Sequence, residues 1–288
     1  MNGNGKTFVF ETPEGTVEMD LGEVRSLAES GNIDGMYAYG MSLVLGIDTP
    51  ADERKGYGFL ETAAEEGHPE AMLFLVKMFF AGNYNGMDIE KSVEYSEKAS
   101  EAGCQEAKLY LGTAYMDGIH VKQNYEKAAS LFRQAANAGF QEARNSLAHL
   151  YEEGLGVPKD ENKAFRLYRT AAGAGNMNAM FRLAVCYEFG IGTSADTEKA
   201  MEWYGKSSEL NDVFALHRLG IIHSEGIIVK EDPKKAFDYF MNAALQGYPE
   251  SMEAVSECYG KGYGTEQNRE ESIKWKKLTE SSINDPIH

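Results

Sequence analysis

A handful of residues in this 288-residue chain have types and spacings that chemistry could use. Gly-x-Gly occurs at Gly154-Leu155-Gly156, Gly190-Ile191-Gly192 and Gly262-Tyr263-Gly264. Glycines so placed cradle phosphates when a strand leads in and a helix leads out. Asn4-Gly5-Lys6-Thr7 reads like the tail of a P-loop. His149, Glu152 and Glu153 fall within about one helical turn, a spacing that sets ligands on one face. His149, Glu152 and Glu188 are the only set with the makings of an acid–base cluster. Three cysteines, Cys104, Cys186 and Cys258, complete the inventory.

Most of these have a plainer reading. The P-loop tail is rejected: its first glycine falls before Met1, and a strand-like Phe8-Val9-Phe10 follows where a helix is required. Three cysteines are odd in number and too sparse for a disulfide framework. Cys186 and Cys258 share one position of a repeat with Ala114, Leu150 and Ile222, as small buried hydrophobes would. No serine, cysteine or lysine sits in a nucleophile motif. One turn of His and Glu is a weak metal signal, so no metal and no cofactor are expected.

The elements that must position these residues repeat with a period of 36. Gly31, Gly67, Gly103, Gly139, Gly175, Asn211 and Gly247 are each one period apart. Gly35, Ala71, Ala107, Ala143, Ala179, Ala215 and Ser251 follow in register, then Tyr39, Leu75, Leu111, Leu147, Leu183, Leu219 and Val255. A second glycine series runs Gly46, Gly82, Gly118, Gly154, Gly190, Gly226 and Gly262, and an Asp/Asn series runs from Asp52 to Asn268. Within one unit, Ala179, Leu183 and Tyr187 are spaced by four and lie on one helical face. Gly190 ends that helix in a left-handed cap. Asp196 caps the next, whose buried stripe is Ala200, Trp203, Tyr204 and Ser207. Each unit is an αα-hairpin that cannot bury its own apolar face, so the units must stack into an all-α solenoid. The Gly-x-Gly is then a helix-ending turn and not a phosphate cradle.

Ala-x-x-x-Leu-x-x-x-Tyr-x-x-Gly-x-Gly, Asp-x-x-Lys-Ala and Tyr-x-x-Ala-Ala-x-x-Gly together resemble the Sel-one-like repeat of the tetratricopeptide-like superfamily. The resemblance covers 31–282 as seven units: 31–66, 67–102, 103–138, 139–174, 175–210, 211–246 and 247–282. It implies a right-handed αα-superhelix whose usual role is holding other proteins together. The first unit departs from it at Gly35, Gly56 and Gly58, where helix formers belong, at about 1 kcal/mol each. The last loses its Ala-Ala pair. Residues 21–30 read as a capping helix, 1–20 as a β-hairpin or a disordered segment, and 283–288 as a tail.

Net charge is −17 and the pI about 4.8. Such a surface repels nucleic acid and anionic membranes. No apolar run approaches the ~20 residues that span a bilayer, and the start shows no signal peptide. A cytoplasmic protein is expected.

By the resemblance, the first helix of each unit lines the concave side. The inward positions then offer Tyr37, Met41, Leu73, Phe80, Leu109 and Met116 in the first three units, and Asn145, His149, Phe181 and Val185 further on. These ten are the expected partner-binding residues, forming a groove with apolar anchors and a polar centre suited to a peptide or helix. The expected function is a non-catalytic scaffold or adaptor for another protein. The alternative is an enzyme or small-ligand protein using His149, Glu152 and Glu188. Self-assembly through the strand edge of the N-terminal hairpin is a third possibility.

Overall fold

The computed structural model describes residues 8–12, 15–84 and 86–284, so the P-loop-like Asn4–Thr7 and the last four residues lie outside the described residues. The chain divides into two compact units, Met1–Ala143 and Arg144–His288.

The first unit opens with β1 (Phe8–Thr12) and β2 (Gly15–Met19), antiparallel, with Phe8 opposite Met19 and Thr12 opposite Gly15. Helix α1 (Leu21–Glu29) follows, started by a capping box in which Asp20 and Glu23 each accept the other's backbone N–H. Val24 and Ala28 bury α1 against α2 (Ile33–Leu45). Then come α3 (Glu53–Glu65), α4 (Pro69–Phe80), α5 (Ile89–Glu101), α6 (Ala107–Asp117) and α7 (Tyr125–Asn137). Each helix packs on the next in sequence, as stacked hairpins do.

The second unit takes the turns of α8 (Gln141–Glu153) from Arg144 on, with α9 (Glu161–Gly173), α10 (Met177–Phe189), α11 (Thr197–Glu209), α12 (Val213–Glu225), α13 (Pro233–Ala244), α14 (Pro249–Lys261) and α15 (Arg269–Asn284). From α9 to α15 the packing is again consecutive. Even-numbered helices from α2 to α14 are the first helix of a repeat, here helix A; the next is helix B.

The local causes match the repeat series. Asp52, Asp88, Asn124, Asp160, Asp196 and Asp232 each accept the backbone N–H three residues on and start a helix B. Gly46, Gly118, Gly190, Gly226 and Gly262 close helix A in the left-handed conformation. The second glycine of the Gly-x-Gly does something else. Gly192 lies so close to the Glu161 carbonyl of the preceding repeat that a Cβ would overlap it, and Gly264 meets Pro233 in the same way. That glycine lets the turn of one repeat seat on helix B of the repeat before.

Two packing expectations are corrected. Trp203 is half-buried, with Lys206 over its ring at 4.1 Å, while Ala200, Tyr204 and Ser207 are buried as expected. In the first unit, Gly35 and Gly56 are not merely poor helix formers. A Cβ on Gly56 would come 2.7 Å from Val44 Cγ2 and 2.8 Å from the Gly40 oxygen, so α2 and α3 approach at a glycine contact. A Cβ on Gly35 would meet Leu27 Cβ at 2.7 Å. Only Gly58, with open space around it, fits the original reading.

Candidate functional site

In the first unit, the predicted inward residues are spent largely on joining repeats. Tyr37, Met41 and Leu73 are half-buried and pack on the core built around Leu60, Leu75 and Val76. Tyr37 stacks on His68 at 4.6 Å, and His68 caps α4 by accepting the Ala71 N–H at 3.1 Å. Leu109 and Met116 are half-buried. Phe80, 42% exposed, is the one of the ten that is open to solvent, and it stacks on Tyr110 at 5.4 Å. A cleft of about 380 Å³ in this unit, lined by Glu97, Glu101, Tyr115 and Lys127, takes in none of the ten.

In the second unit three of the four are brought together. Asn145 and His149 on α8 and Phe181 on α10 line one cleft of about 450 Å³. Tyr168 from α9, Asn178 and Arg182 from α10, and Asp212 and Phe214 at the start of α12 complete it. Val185 is half-buried outside the lining. Sequence reasoning missed Asn178, Arg182 and Phe214. Phe214 is 50% exposed, with its ring 5.8 Å from that of Phe181. Beyond it Tyr248 lies at 5.5 Å, and His217 touches Tyr248 at 5.2 Å. The rings form a strip across the starts of α10, α12 and α14.

The polar centre differs from expectation. Glu152 is not open in a groove but 8% exposed. It accepts the Tyr168 hydroxyl at 2.7 Å and pairs with Arg182 of the next repeat. Burial, with the carboxylate beside it, pushes the Tyr168 hydroxyl far above the usual tyrosine range. One period on the arrangement recurs: Glu188 accepts the Tyr204 hydroxyl at 2.7 Å and pairs with Arg218. These two interlocks tie helix A and helix B of one repeat to helix A of the next. Their sequence signal was present, since Glu152/Glu188, Tyr168/Tyr204 and Arg182/Arg218 are each 36 apart.

The acid–base reading is thereby weakened. Glu152 and Glu188 sit in separate interlocks, not on one site. The ligand atoms of His149, Glu152 and Glu153 do lie within 4.8 Å of one another. A cation there would have to compete with the Arg182 guanidinium for Glu152. Ser251 Oγ lies 2.8 Å from His217 Nδ1, but the serine is wholly buried on α14, where no substrate can reach it. Burial pushes the Cys186 thiol up to about 12 and that of Cys258 up to about 11, away from nucleophilic use.

Asn145 Oδ1 is buried without a hydrogen-bond partner. Arg182 is engaged with Glu152 and Tyr168, and Asp212 accepts the Ser207 hydroxyl at 2.6 Å and the Phe214 N–H at 3.0 Å. The cleft therefore offers aromatic faces and amide groups, with Arg182 ion-paired to Glu152 and Asp212 held by neutral donors alone.

No helix among the described residues is long and apolar enough to cross a membrane. The Sel1 repeat family model matches residues 33–68, 69–104, 105–140, 141–176, 178–212, 213–248 and 249–275. A comparison with curated proteins gave no match. Among solved structures, the chain is 27% identical to a Sel1 repeat protein from Oxalobacter formigenes, over 91% of this chain and 76% of that one, with a TM-score of 0.73. It is 29% identical to a protective antigen present in uropathogenic Escherichia coli strains that displays an SLR fold, over 90% of this chain, with a TM-score of 0.67. It spans only 56% of that antigen's chain. An immunity protein from Pseudomonas aeruginosa shares the fold at 18% identity, over 76% of this chain and 81% of its own, with a TM-score of 0.51. Seven matched repeats, in the period read from the glycines, make this chain a member of the Sel1 repeat family.

Proposed function

We propose that this chain is a non-catalytic scaffold that holds a segment of a partner protein against its first helices, with the cleft of the second unit as the main grip. Repeats of this kind generally serve as protein–protein interaction scaffolds. The observation that carries the reading is the cleft itself. Asn145, His149 and Phe181 converge there beside an exposed Phe214, while the carboxylates that could do acid–base work are held in interlocks between repeats. Aromatic faces with a few convergent polar groups are what recognition sites are made of. Phe80, exposed over Tyr110, is a second anchor, in the first unit. The strongly acidic surface and the cytoplasmic setting expected from the sequence fit a partner that is protein and not nucleic acid.

The test is partner retention by the wild type and by a Phe80→Ala/Phe181→Ala variant whose melting temperature matches it. A partner kept by the wild type and lost by the variant supports the reading. Equal retention moves the binding surface away from these residues.

A further inference from the structure

Another cleft of the second unit, of about 350 Å³, lies between α12, α13 and α14. We propose that it binds a small molecule with an apolar body and one cationic amine, the body seated on Ile221, Phe240 and Ala254 and the amine at Glu225. This goes beyond the scaffold reading above and does not rest on it.

The cleft has a cause in the sequence. The interlocks Glu152–Tyr168–Arg182 and Glu188–Tyr204–Arg218 each join one helix A to the next. One period further on, the same three places hold Ser224, Phe240 and Ala254. All three line the cleft. Carboxylate, phenol hydroxyl and guanidinium are lost together, so no member is left behind as an unpaired buried charge. In the first unit the same places hold bulk instead: Val44, Leu60 and Phe74, then Phe80, Ser96 and Tyr110, with the rings of Phe80 and Tyr110 stacked at 5.4 Å. Between α12 and α14 neither charge nor bulk stands in for the interlock, and space remains.

The walls select an apolar body. Phe240 and Cys258 are buried at the floor, while Ile221 and Ala254 are half-buried and reach solvent. The Ser224 hydroxyl donates to the Ile221 carbonyl at 3.0 Å, and the Tyr263 hydroxyl donates to the Ser224 carbonyl at 2.9 Å. These polar groups are therefore satisfied within the protein, and apolar surface is what a ligand meets. At about 30 Å³ of liquid volume per water, the space suits a ligand of roughly a dozen non-hydrogen atoms.

The mouth selects a cation. Glu225 is the last residue of α12, exposed and without an ion-pair partner among the described residues. The carbonyl end of α12 adds its negative pole at the same place. Lys261 is already held by Glu257 at 2.6 Å. Burial lowers the His217 pKa below its ordinary value, so its ring is neutral at pH 7 and does not oppose a cation.

Tryptamine, tryptophol and indole-3-acetate share one apolar body and differ in charge, and each can be titrated against the full chain by calorimetry. Tryptamine should bind about three- to fivefold tighter than tryptophol, as an exposed charge pair gives, and indole-3-acetate should bind weakest. The advantage of tryptamine should vanish in Glu225→Gln and shrink at high salt. Ser224→Glu/Phe240→Tyr/Ala254→Arg rebuilds the interlock and should abolish binding of all three. Ala254→Leu fills the space without charge and should do the same, so the test stands if the triple variant fails to fold. A filled variant must melt no lower than the wild type to be read. Absence of tryptamine binding to the wild type, equal binding of the three probes, or undiminished binding to a filled variant would each overturn the proposal. None of these outcomes touches the scaffold reading, which partner retention tests.

Discussion

Single residues in this chain act through the space beside them more than through their intrinsic preferences. Gly56 and Gly58 are two apart in α3 and have opposite surroundings. Gly58 faces open space, so Gly58→Ala should stabilise the protein by about 1 kcal/mol, the helix propensity difference. Gly56 touches Val44 and the Gly40 backbone, so Gly56→Ala should destabilise it by about 1–3 kcal/mol through overpacking. Denaturant midpoints of the two variants check this, and the same sign for both would contradict it. His223 is a second case. It stands where Tyr115, Tyr151, Tyr187 and Tyr259 stand in other repeats, 7% exposed, with Nδ1 unpaired and its ring 5.6 Å from Tyr239. Burial first, and Lys235 next, lower its pKa below the ordinary 6.5. The folded state therefore prefers the neutral ring. The stability this represents is present above the unfolded value and is lost as pH falls below it. His223→Tyr should restore the repeat residue under Lys235. Its gain in melting temperature should grow as pH is lowered from about 7 to about 5. A constant gain across that range would mean that His223 does not titrate against folding.

At the scale of elements, the hairpins were legible from sequence because a 36-residue period writes the same helix signals seven times. Glycine ends, Asp caps and four-spaced apolar faces reinforce one another in every copy. What joins one hairpin to the next was less legible. Glu152 and Glu188 read as an acid–base set with His149, because their partners Tyr168 and Arg182, or Tyr204 and Arg218, lie on other helices and far along the chain. Lysines of the Lys-Ala pairs entered only as a repeat motif, and the structure sets Lys127, Lys163 and Lys199 4.7, 4.3 and 5.3 Å over Tyr115, Tyr151 and Tyr187. The interlock predicts a measurable coupling. Arg182→Ala leaves Glu152 buried without its counter-charge and should cost about 2–3 kcal/mol, less than a fully buried pair because Arg182 is partly open. Adding Glu152→Ala should then cost little more, or recover some stability. Additive losses would show that the two residues do not act as a pair.

At the scale of the molecule, the two units carry the acidity unequally. Residues 1–143 hold 23 acidic and 11 basic side chains, and residues 144–288 hold 22 and 17. Long-range attraction of a basic partner therefore belongs mainly to the first unit. The cleft of the second is aromatic, with Arg182 paired to Glu152 and Asp212 bonded to neutral donors. The candidate site was half legible. Inward columns taken from the family resemblance led to Asn145, His149 and Phe181, but Phe214 and Asn178 lie in the first turn of helix A, which those columns did not sample. The central claim is that a partner segment lies in this cleft. It is tested most directly by placing a photo-crosslinking side chain at Phe214 in the cleft, and separately at Thr170 on the exposed face of α9, and identifying the joined peptides by mass spectrometry. The account predicts partner peptides at position 214 and none at position 170. Crosslinks at 170 alone would contradict it.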